Sequence, residues 1–586
     1  MTRSIVILYG SETGNSQDLA YLLARKCERL RFQTVVCSLD DFDLKKLLDI
    51  KILIIICSTT GQGELPRNAR SFWKFMLRKK LPLDLLEHLY FTTFGLGDSS
   101  YPQFNYAAKK IHRRLLQLGA IEISNRAESD EQLPDGIEGF YMEWEKVLIS
   151  NLNQKFPLPE NLKEIPISEL LPARNSLTIH TTKFKKLIDT KDSLNRSDNT
   201  LITGQILHNE RMTSDDHFQD VRNVLIKSNS DLQLHYKPGD TVALYPSNDP
   251  RDVQTLLDSQ GWDNIADFPL SIQGDLPKVE GGLLQKLTLR SLITYHLDIV
   301  SIPKRSFFLN AWYFASDERE REKLLEFSKI EGTQELYDYA NRPRRSILET
   351  ILEFFSLKIP VDYILEIFPI LKPRLFSISS KPNDSTVELT VAIVEYKTML
   401  RKIRRGICTR WLKKLKLGDN LVFHIREQNL QIGKPSVNVP LIMIAPGTGI
   451  APIKSLIETK IQTNPNIELY LFTGNRYHDK DFLYGELWNS LLHEGKLTKL
   501  FSSFSREGKG GYVQEILYKE KLLLNDLISN RNAIIYLCGS SGKMPNQVRI
   551  TFTTIFEECN EDVDNEKANQ MLLEMENQGR YIQETW

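Results

Sequence analysis

The sequence of 586 residues is poor in cysteine and has neither a long hydrophobic run nor an excess of one charge. Its six cysteines are widely spaced without metal-type pairing, so we expect reduced thiols, no metal and a cytoplasmic location. No apolar run reaches the ~18–20 residues of a membrane span. The first predicted strand begins at Ser4 or Ile5, so we expect neither a signal peptide nor a membrane anchor. The 75 basic and 75 acidic residues cancel, which gives no indication of a nucleic-acid partner.

What the sequence does contain is three glycine-bearing loops, at residues 11–16, 58–66 and 95–105, each after a short apolar run. In an open α/β sheet, ligands bind where such loops leave the carboxyl ends of the strands. The first loop offers hydroxyls before a predicted helix, which suits a phosphate, but it lacks the lysine of a nucleotide P-loop. The other two offer glycine backbone and the ring of Tyr101 to a flat heterocycle. Flavin mononucleotide fits this pattern; the alternative is three ordinary turns of a doubly wound domain.

The order of predicted elements divides the chain into several domains, as expected at ~100–200 residues per domain. We expect a doubly wound domain over residues 1–152 and a proline-punctuated, polar linker over residues 153–200. Strand-like alternation then predicts a β-barrel over residues 201–435, interrupted by a helical insertion at about 250–369. From residue 436 to 586 the βα alternation returns, which predicts a second open parallel sheet.

Two segments of the predicted barrel suit an anionic, flat ligand. The segment from Arg374 to Ser380 combines a cation, one aromatic ring and three serines on a strand. The segment from Gly406 to Leu412 begins with a glycine turn that opens a probable helix, whose first amides suit a pyrophosphate. The alternatives are a half-buried strand with an exposed arginine and a plain helix cap.

The last domain carries a glycine-rich turn at residues 445–452 and, further on, Ser505, Arg506, Lys509, Tyr512 and Gln514. Cations and hydroxyls after a strand suit an extra phosphate and favour NADP over NAD. The alternative is a solvated basic turn. The chain ends in tryptophan, which either packs at the terminus or covers a flavin ring.

Taken together, these segments resemble the diflavin reductases, in which a flavodoxin-like module is fused to a ferredoxin–NADP reductase-like module. SETGNS, STTGQGELP, GLGDSSYPQFN, RLFSISS, GICTRWL, APGTGIAP and the terminal tryptophan occur in that family's order over essentially the whole chain. The resemblance implies an α/β multidomain fold: a flavodoxin-like doubly wound sheet, then a β-barrel with a helical insertion and a Rossmann-like NADP domain. It implies an oxidoreductase that passes electrons from NADPH through FAD and FMN to a protein acceptor.

Within this family, the segment 342–348, the immediate use of the amino terminus and the Glu-Thr-Trp end are similar to one fungal subgroup. That subgroup consists of the NADPH-dependent diflavin oxidoreductases of cytosolic iron–sulfur protein assembly, which implies an anamorsin-like iron–sulfur protein as the acceptor. The alternatives are a reductase for a haem protein, sulfite reductase or methionine synthase. Another class remains open, a non-catalytic scaffold that keeps the fold, although the intact motifs argue against it.

The resemblance also assigns residues to each cofactor. For the FMN phosphate it implies Ser11, Glu12, Thr13, Gly14, Asn15 and Ser16. For the FMN ring it implies Ser58, Thr59, Thr60, Gly61, Leu96, Gly97, Asp98, Ser99, Ser100, Tyr101, Pro102, Gln103, Phe104, Asn105 and, on a looser alignment, Glu131. For FAD it implies Arg344, Arg374, Leu375, Phe376, Ser377, Gly406, Ile407, Cys408, Thr409 and the covering Trp586. For NADPH it implies Thr448, Ser505, Arg506, Lys509, Tyr512 and Gln514.

Three residues match the family's hydride-transfer neighbourhood: Ser377, Cys538 and Glu584. The alternative for Cys538 is a small buried residue after a strand. The sequence departs from the wider family at two positions: Phe376 replaces a common tyrosine, and Gly510 replaces a common lysine, which weakens the assignment of neighbouring Lys509.

Overall fold

The computed structural model describes residues 3–61, 63–101, 103–133, 136–181, 195–198, 200–229, 233–274, 279–428, 438–508 and 510–586. Pro102, Lys509 and most of the predicted polar linker after residue 181 lie outside the described residues. No helix in the described part of the chain is long and apolar enough to cross a membrane.

The amino-terminal module is a doubly wound parallel sheet. Its strands are β1 (Ser4–Gly10), β2 (Gln33–Ser38), β3 (Ile52–Ser58), β4 (Tyr90–Gly97), β5 (Ile121–Glu122) and β6 (Ala127–Asp130). Its helices are α1 (Asn15–Arg29), α2 (Arg70–Met76), α3 (Tyr106–Gln117) and α4 (Gly136–Lys155). The strand order is β2-β1-β3-β4-β5, and β6 pairs with the carboxyl end of β4. Because neighbouring strands are parallel, the loops after β1, β3 and β4 meet at one edge.

The middle of the chain is an antiparallel barrel with an inserted helical layer. Its strands are β7 (Asn175–Ile179), β8 (Ile202–Arg211), β9 (Val221–Ser228), β10 (Thr241–Leu244), β11 (Leu270–Gly274), β12 (Arg374–Ser377), β13 (Thr386–Ala392), β14 (Glu395–Lys397), β15 (Ile403–Arg405) and β16 (Asn420–Arg426). The main sheet has the order β12-β10-β16-β8-β9-β13. A bridge between Ile378 and Leu389 joins its two ends and closes the barrel.

The insertion packs around its own apolar core, formed almost entirely by residues between Val253 and Phe368. Its helices are α5 (Pro250–Gln260), α6 (Leu289–Tyr295), α7 (Arg305–Ala311), α8 (Glu318–Phe327), α9 (Thr333–Leu336), α10 (Ile347–Glu353) and α11 (Ile364–Ile367). Strand β7 lies inside the segment predicted as a linker and pairs with β11. The alternation that places Leu177 in the insertion's core explains this pairing.

The carboxyl-terminal module is a second open parallel sheet. Its strands are β17 (Leu441–Pro446), β18 (Leu469–Asn475), β19 (Lys499–Phe504), β20 (Ile534–Gly539) and β21 (Tyr581–Thr585), in the order β19-β18-β17-β20-β21. Helix α12 (Ile407–Lys414) belongs to the barrel and precedes β16. The helices of the carboxyl-terminal module are α13 (Ile450–Thr463), α14 (His478–Asp481), α15 (Gly485–His493), α16 (Val513–Lys519), α17 (Lys521–Asn525), α18 (Lys543–Cys559) and α19 (Asn565–Asn577). The predicted fold class, with two parallel-sheet modules around a barrel and its helical insertion, is confirmed.

Candidate cofactor and electron-transfer sites

One large cavity, of about 1620 Å³, has walls from all three modules. The amino-terminal module contributes the loops after β1, β3 and β4, and the barrel contributes β12 and the start of α12. The carboxyl-terminal module contributes residues just after β17, residues 541–546 after β20, and strand β21. The sequence-predicted residues on these walls are Glu12, Thr13, Asn15, Ser58, Thr59, Thr60, Gly61, Leu96, Gly97, Asp98, Ser100, Tyr101, Gln103, Phe104, Asn105, Glu131, Arg374, Leu375, Phe376, Ser377, Gly406, Ile407, Cys408, Thr409, Thr448, Glu584 and Trp586.

Other predicted site residues do not line this cavity. Within the described residues they are Ser11, Gly14, Ser16, Ser99, Arg344, Cys538, Ser505, Arg506, Tyr512 and Gln514. Ser11 and Gly14 belong to the loop between β1 and α1, and Ser16 lies in the first turn of α1. The last four lie between the end of β19 and the first turn of α16.

The loop before α1 leads into a helix of 15 residues, and the first turn of that helix carries an unsatisfied hydroxyl, that of Ser16. Gly14 adopts the left-handed conformation, with φ of 106°, and its N–H donates to the Ser11 hydroxyl at 2.9 Å. Ser16 is fully buried, and its hydroxyl has no hydrogen-bond partner among the described residues. A buried polar group without a partner costs about 1–3 kcal/mol, so this loop fits an oxygen-rich anion such as the FMN phosphate.

The loops after β3 and β4 brace each other. The Thr59 N–H donates to the Leu96 carbonyl at 2.9 Å, and the Ala107 N–H donates to the Thr59 hydroxyl at 3.2 Å. Asn105 is buried and donates to the Ser129 carbonyl at 3.0 Å. A Cβ at Gly97 would lie 2.9 Å from the Asn105 carboxamide oxygen, so only glycine fits there. These contacts hold the loop after β3 against the loop after β4, which carries Tyr101.

Two acids near residue 130 have different positions. Asp130 accepts from the Ser99 N–H and the Gln132 N–H, both at 3.0 Å, and so holds the loop. Glu131 lines the cavity, and its own N–H donates to the Gly97 carbonyl at 2.9 Å. Glu131 is therefore the acid available to a ligand in the cavity.

On the barrel side, much of the expected polar chemistry is already used by the protein. Arg374 donates to the Lys372 carbonyl at 2.7 Å, and its position on the wall leaves the rest of the guanidinium for an anion. The Thr409 hydroxyl accepts from the Val394 N–H at 3.1 Å and donates to the Gly406 carbonyl. The Thr409 hydroxyl thus already has partners within the protein, and the amides that begin α12 are further donors on this wall.

Arg344 lies away from the cavity but close to the strand that leads to it. Its backbone is left-handed, with φ of 54°, and its side chain is exposed. The preceding residue, Pro343, accepts a hydrogen bond from Arg404 of β15. Since β15 ends next to Gly406, Arg344 stands at the outer end of the candidate FAD site.

A serine, a glutamate and a tyrosine form a hydrogen-bonded group between barrel and carboxyl-terminal sheet. The Ser377 hydroxyl donates to one oxygen of Glu584 at 2.9 Å, and the Tyr536 hydroxyl donates to the other. Burial raises the pKa of Glu584, although both hydrogen bonds oppose that rise. Ser377 and Glu584 both line the cavity, so this pair can hold and orient a proton there.

Cys538 pairs with Glu584 across β20 and β21 but is fully buried. Burial, with the nearby Glu584 charge, raises the pKa of its thiol, so the thiol remains neutral. Tyr536 was not predicted from the sequence. Its position two residues before Cys538, on the same face of a strand, was the available signal.

The candidate NADPH residues gather at the carboxyl edge of the last sheet. Thr448 follows β17, and Ser505 and Arg506 follow β19, where their N–H groups donate to the carbonyls of residues 475 and 476 at 2.9 and 3.0 Å. The exposed Arg506 guanidinium forms no ion pair with any described residue. Trp586 is 49% exposed, while its backbone is tied to Gly539 and Ser541. Hydrogen bonds thus hold the backbone of Trp586, while about half of the residue's surface is open to solvent.

Comparison with known proteins agrees with this geometry. The flavodoxin family matches residues 7–144, the FAD binding domain family matches residues 196–411, and the oxidoreductase NAD-binding domain family matches residues 443–549. Together with the shared cavity, these matches define a flavin-dependent oxidoreductase with two flavin modules and one nicotinamide module.

Relatives match the full length of the chain. The NADPH-dependent diflavin oxidoreductase 1 of Debaryomyces hansenii is 52% identical over 99% of this chain and 98% of its own. Those of Candida albicans and Saccharomyces cerevisiae are 48% and 42% identical, each over 100% of both chains. The chain belongs to the NADPH-dependent diflavin oxidoreductase family. The predicted resemblance, the enzyme class and the cofactors FMN, FAD and NADPH are thereby confirmed.

Proposed function

We propose that the chain delivers electrons from NADPH to an anamorsin-like iron–sulfur protein of cytosolic iron–sulfur cluster assembly. The observation that carries the delivery route is the cavity, because its walls hold both sets of flavin residues. When bound, the nicotinamide and the two flavins supply the redox chemistry, in which an electron pair is divided into the single electrons that metal centres accept. The protein binds, orients and shields these groups. Membership of this family implies a protein electron acceptor.

We assign the cofactor contacts to the residues predicted from the sequence. Support for the FMN site comes from the unsatisfied Ser16 hydroxyl and the braced loops around Tyr101. Support for the FAD site comes from the place of Arg374 and Gly406 on the opposite wall. Ser377 and Glu584 are proposed to hold a proton beside the reacting rings, with Cys538 as a neutral buried neighbour.

The division of the chain is also proposed as predicted: 1–152 for FMN, 153–200 as the connection, 201–435 for FAD and 436–586 for NADPH. The family matches at residues 7–144, 196–411 and 443–549 fall largely within these limits and support them. The strand β7 shows that part of the connection is built into the insertion.

The choice of acceptor is supported by the segment 342–348 and the Glu-Thr-Trp end, which are similar to the iron–sulfur assembly subgroup. A cytoplasmic location is proposed from the six cysteines, all of which are free thiols. Reductases for other metal-containing acceptors remain the alternatives.

An anaerobic assay tests this proposal. The purified chain, NADPH and an anamorsin-like iron–sulfur protein are mixed, and the visible absorbance of the cluster is followed. We expect NADPH-dependent bleaching that requires the chain, with a matched reaction lacking NADPH as the control. Reduction of ferricyanide without any reduction of the iron–sulfur protein contradicts the proposed acceptor.

Deletion of Trp586 tests the proposed covering role of the indole. If the indole lies on the FAD ring, its removal opens that face to nicotinamide, and NADH gains most because it lacks the 2′-phosphate contacts. An aromatic stacking contribution of about 0.5–1.5 kcal/mol predicts an NADH-to-NADPH efficiency ratio about 2- to 10-fold higher. Trp586→Phe serves as the control that keeps a ring. An unchanged ratio after deletion means that the terminus is only packed.

A further inference from the structure

Two lysines from outside the amino-terminal module reach the loop before α1. Lys372, between the insertion and β12, donates from Nζ to the Glu12 carbonyl at 3.3 Å. The same Nζ lies 3.1 Å from where a Cβ would stand on Gly14. Lys304, next to α7, donates to the Asn15 side-chain oxygen at 3.0 Å and lies 4.0 Å from a carboxylate oxygen of Asp18. The proposed phosphate loop is therefore approached by cations from a different part of the chain.

The ammonium of Lys372 has a backbone carbonyl as its hydrogen-bond partner. It has no carboxylate within ion-pair distance among the described residues, and it is partly buried. Burial, together with the neighbouring charge of Lys304 and against the opposing charge of Glu12, lowers the pKa of Lys372 to about 8. A partly buried, uncompensated cation is unfavourable unless an anion lies beside it.

The unsatisfied Ser16 hydroxyl independently indicates that the same segment suits an anion. It lies at the start of α1, where the helix dipole also favours negative charge. The unsatisfied hydroxyl, the helix start and the contacts of the two ammonium groups thus all fall within residues 12–16. This is the donor set that a phosphate dianion requires.

We propose that Lys304 and Lys372 complete the FMN phosphate site from across the module boundary, so that FMN binding and docking of the amino-terminal module stabilise each other. This inference rests on the placement of the FMN phosphate at residues 11–16 proposed above. Coupling of this kind is reciprocal: if docking strengthens FMN binding, bound FMN strengthens docking by the same factor.

Other contacts across the same boundary are already paired within the protein. Ser306 donates to Asp18 at 2.8 Å, Arg305 pairs with Glu138 at 2.9 Å, and Arg25 pairs with Glu366 at 2.9 Å. These contacts do not depend on a cofactor. Lys372 differs because its ammonium has no carboxylate partner among the residues that the structure describes, so its substitution tests for a bound phosphate.

The first test measures flavin affinity on full-length protein stripped of FMN. FMN and riboflavin, which has the same ring without the phosphate, are titrated separately and followed by quenching of flavin fluorescence. We expect Lys372→Met to weaken FMN binding at least tenfold, about 1.4 kcal/mol, while riboflavin affinity stays within twofold. Lys304→Met acts in the same direction, and Lys372→Arg restores most of the FMN affinity. Lys323→Met, at a partly exposed lysine paired with Glu326 on α8, is the matched control.

The second test measures docking. Small-angle scattering of the stripped wild-type protein should show a smaller radius of gyration after FMN is added, and no such change with riboflavin. The Lys304→Met/Lys372→Met double variant, at saturating FMN, should stay at the larger radius. A wild-type radius that does not respond to FMN, or a double variant that contracts as the wild type does, overturns the coupling.

A Thr13→Val variant separates failure of this inference from failure of the site assignment. One outcome is that Thr13→Val weakens the binding of FMN but not of riboflavin, while the lysine variants change neither affinity. In that case the loop binds the phosphate and the lysines do not take part. If none of these variants distinguishes FMN from riboflavin, the phosphate lies elsewhere and both statements are wrong. Equal loss of both flavins in Lys372→Met assigns that lysine a purely structural role and overturns the inference.

Discussion

Replacement of Thr13 and Thr60 by tryptophan releases FMN and leaves FAD bound. Both threonines line the cavity on the amino-terminal wall, away from β12 and α12. Thr13 is exposed and Thr60 is partly exposed, so the fold tolerates the larger side chains. The added volume displaces the ligand, at about 1–3 kcal/mol for each substitution, the usual cost of overfilling packed space. Chromatography of the flavins released by denaturation measures the result.

The electron-transfer consequence separates the two modules. NADPH-driven reduction of ferricyanide continues at the FAD module, whereas reduction of the protein acceptor falls to the background rate. Thr13→Ser/Thr60→Ser, which keeps both hydroxyls, retains FMN and both activities. Loss of both flavins from the tryptophan variant contradicts the proposed separation of the sites.

Replacement of Arg506 by alanine raises the KM for NADPH much more than the KM for NADH. The guanidinium is exposed at the carboxyl edge of the last sheet and forms no ion pair with any described residue. We propose that it binds the 2′-phosphate, which only NADPH carries. A charge-assisted hydrogen bond is worth about 1.5–3 kcal/mol, which predicts a rise of about 10- to 100-fold for NADPH.

Steady-state kinetics with both nucleotides checks this prediction. The matched control is Arg531→Ala, because Arg531 is also an exposed arginine of the last module. It lies before β20, at the opposite edge of the sheet, and forms an ion pair with Glu468, which precedes β18. We expect the control to leave both KM values unchanged. Equal increases for NADPH and NADH with Arg506→Ala remove the 2′-phosphate assignment.

The fold could be predicted largely because local patterns were strong. Apolar runs such as β3, buried throughout residues 52–57, are typical of parallel strands covered by helices. Short or interrupted strands were harder. Strand β5 has two residues, β6 has four, and β7 has only five within a polar stretch. Their stability comes from pairing with distant strands, which the local sequence does not reveal.

For the candidate site, the sequence predicted residues in the glycine-rich loops. It missed residues that reach the site from other strands or from another module. Tyr536 contacts Glu584 only because β20 and β21 pair, and Lys372 approaches Gly14 only because two modules dock. The hydrogen bonds that join the Thr409 hydroxyl to the backbone of residues 394 and 406 likewise form only in the folded turn. Such contacts depend on tertiary geometry, and no spacing rule encodes them.

The flavin content of the purified chain is the most direct test of the two-flavin account. The protein is denatured, the released flavins are separated by chromatography, and each is counted against the protein concentration. The account predicts one FMN and one FAD per chain, both of which are reduced when NADPH is added anaerobically before denaturation. A protein that carries only one kind of flavin, or whose FMN remains oxidised in excess NADPH, contradicts it.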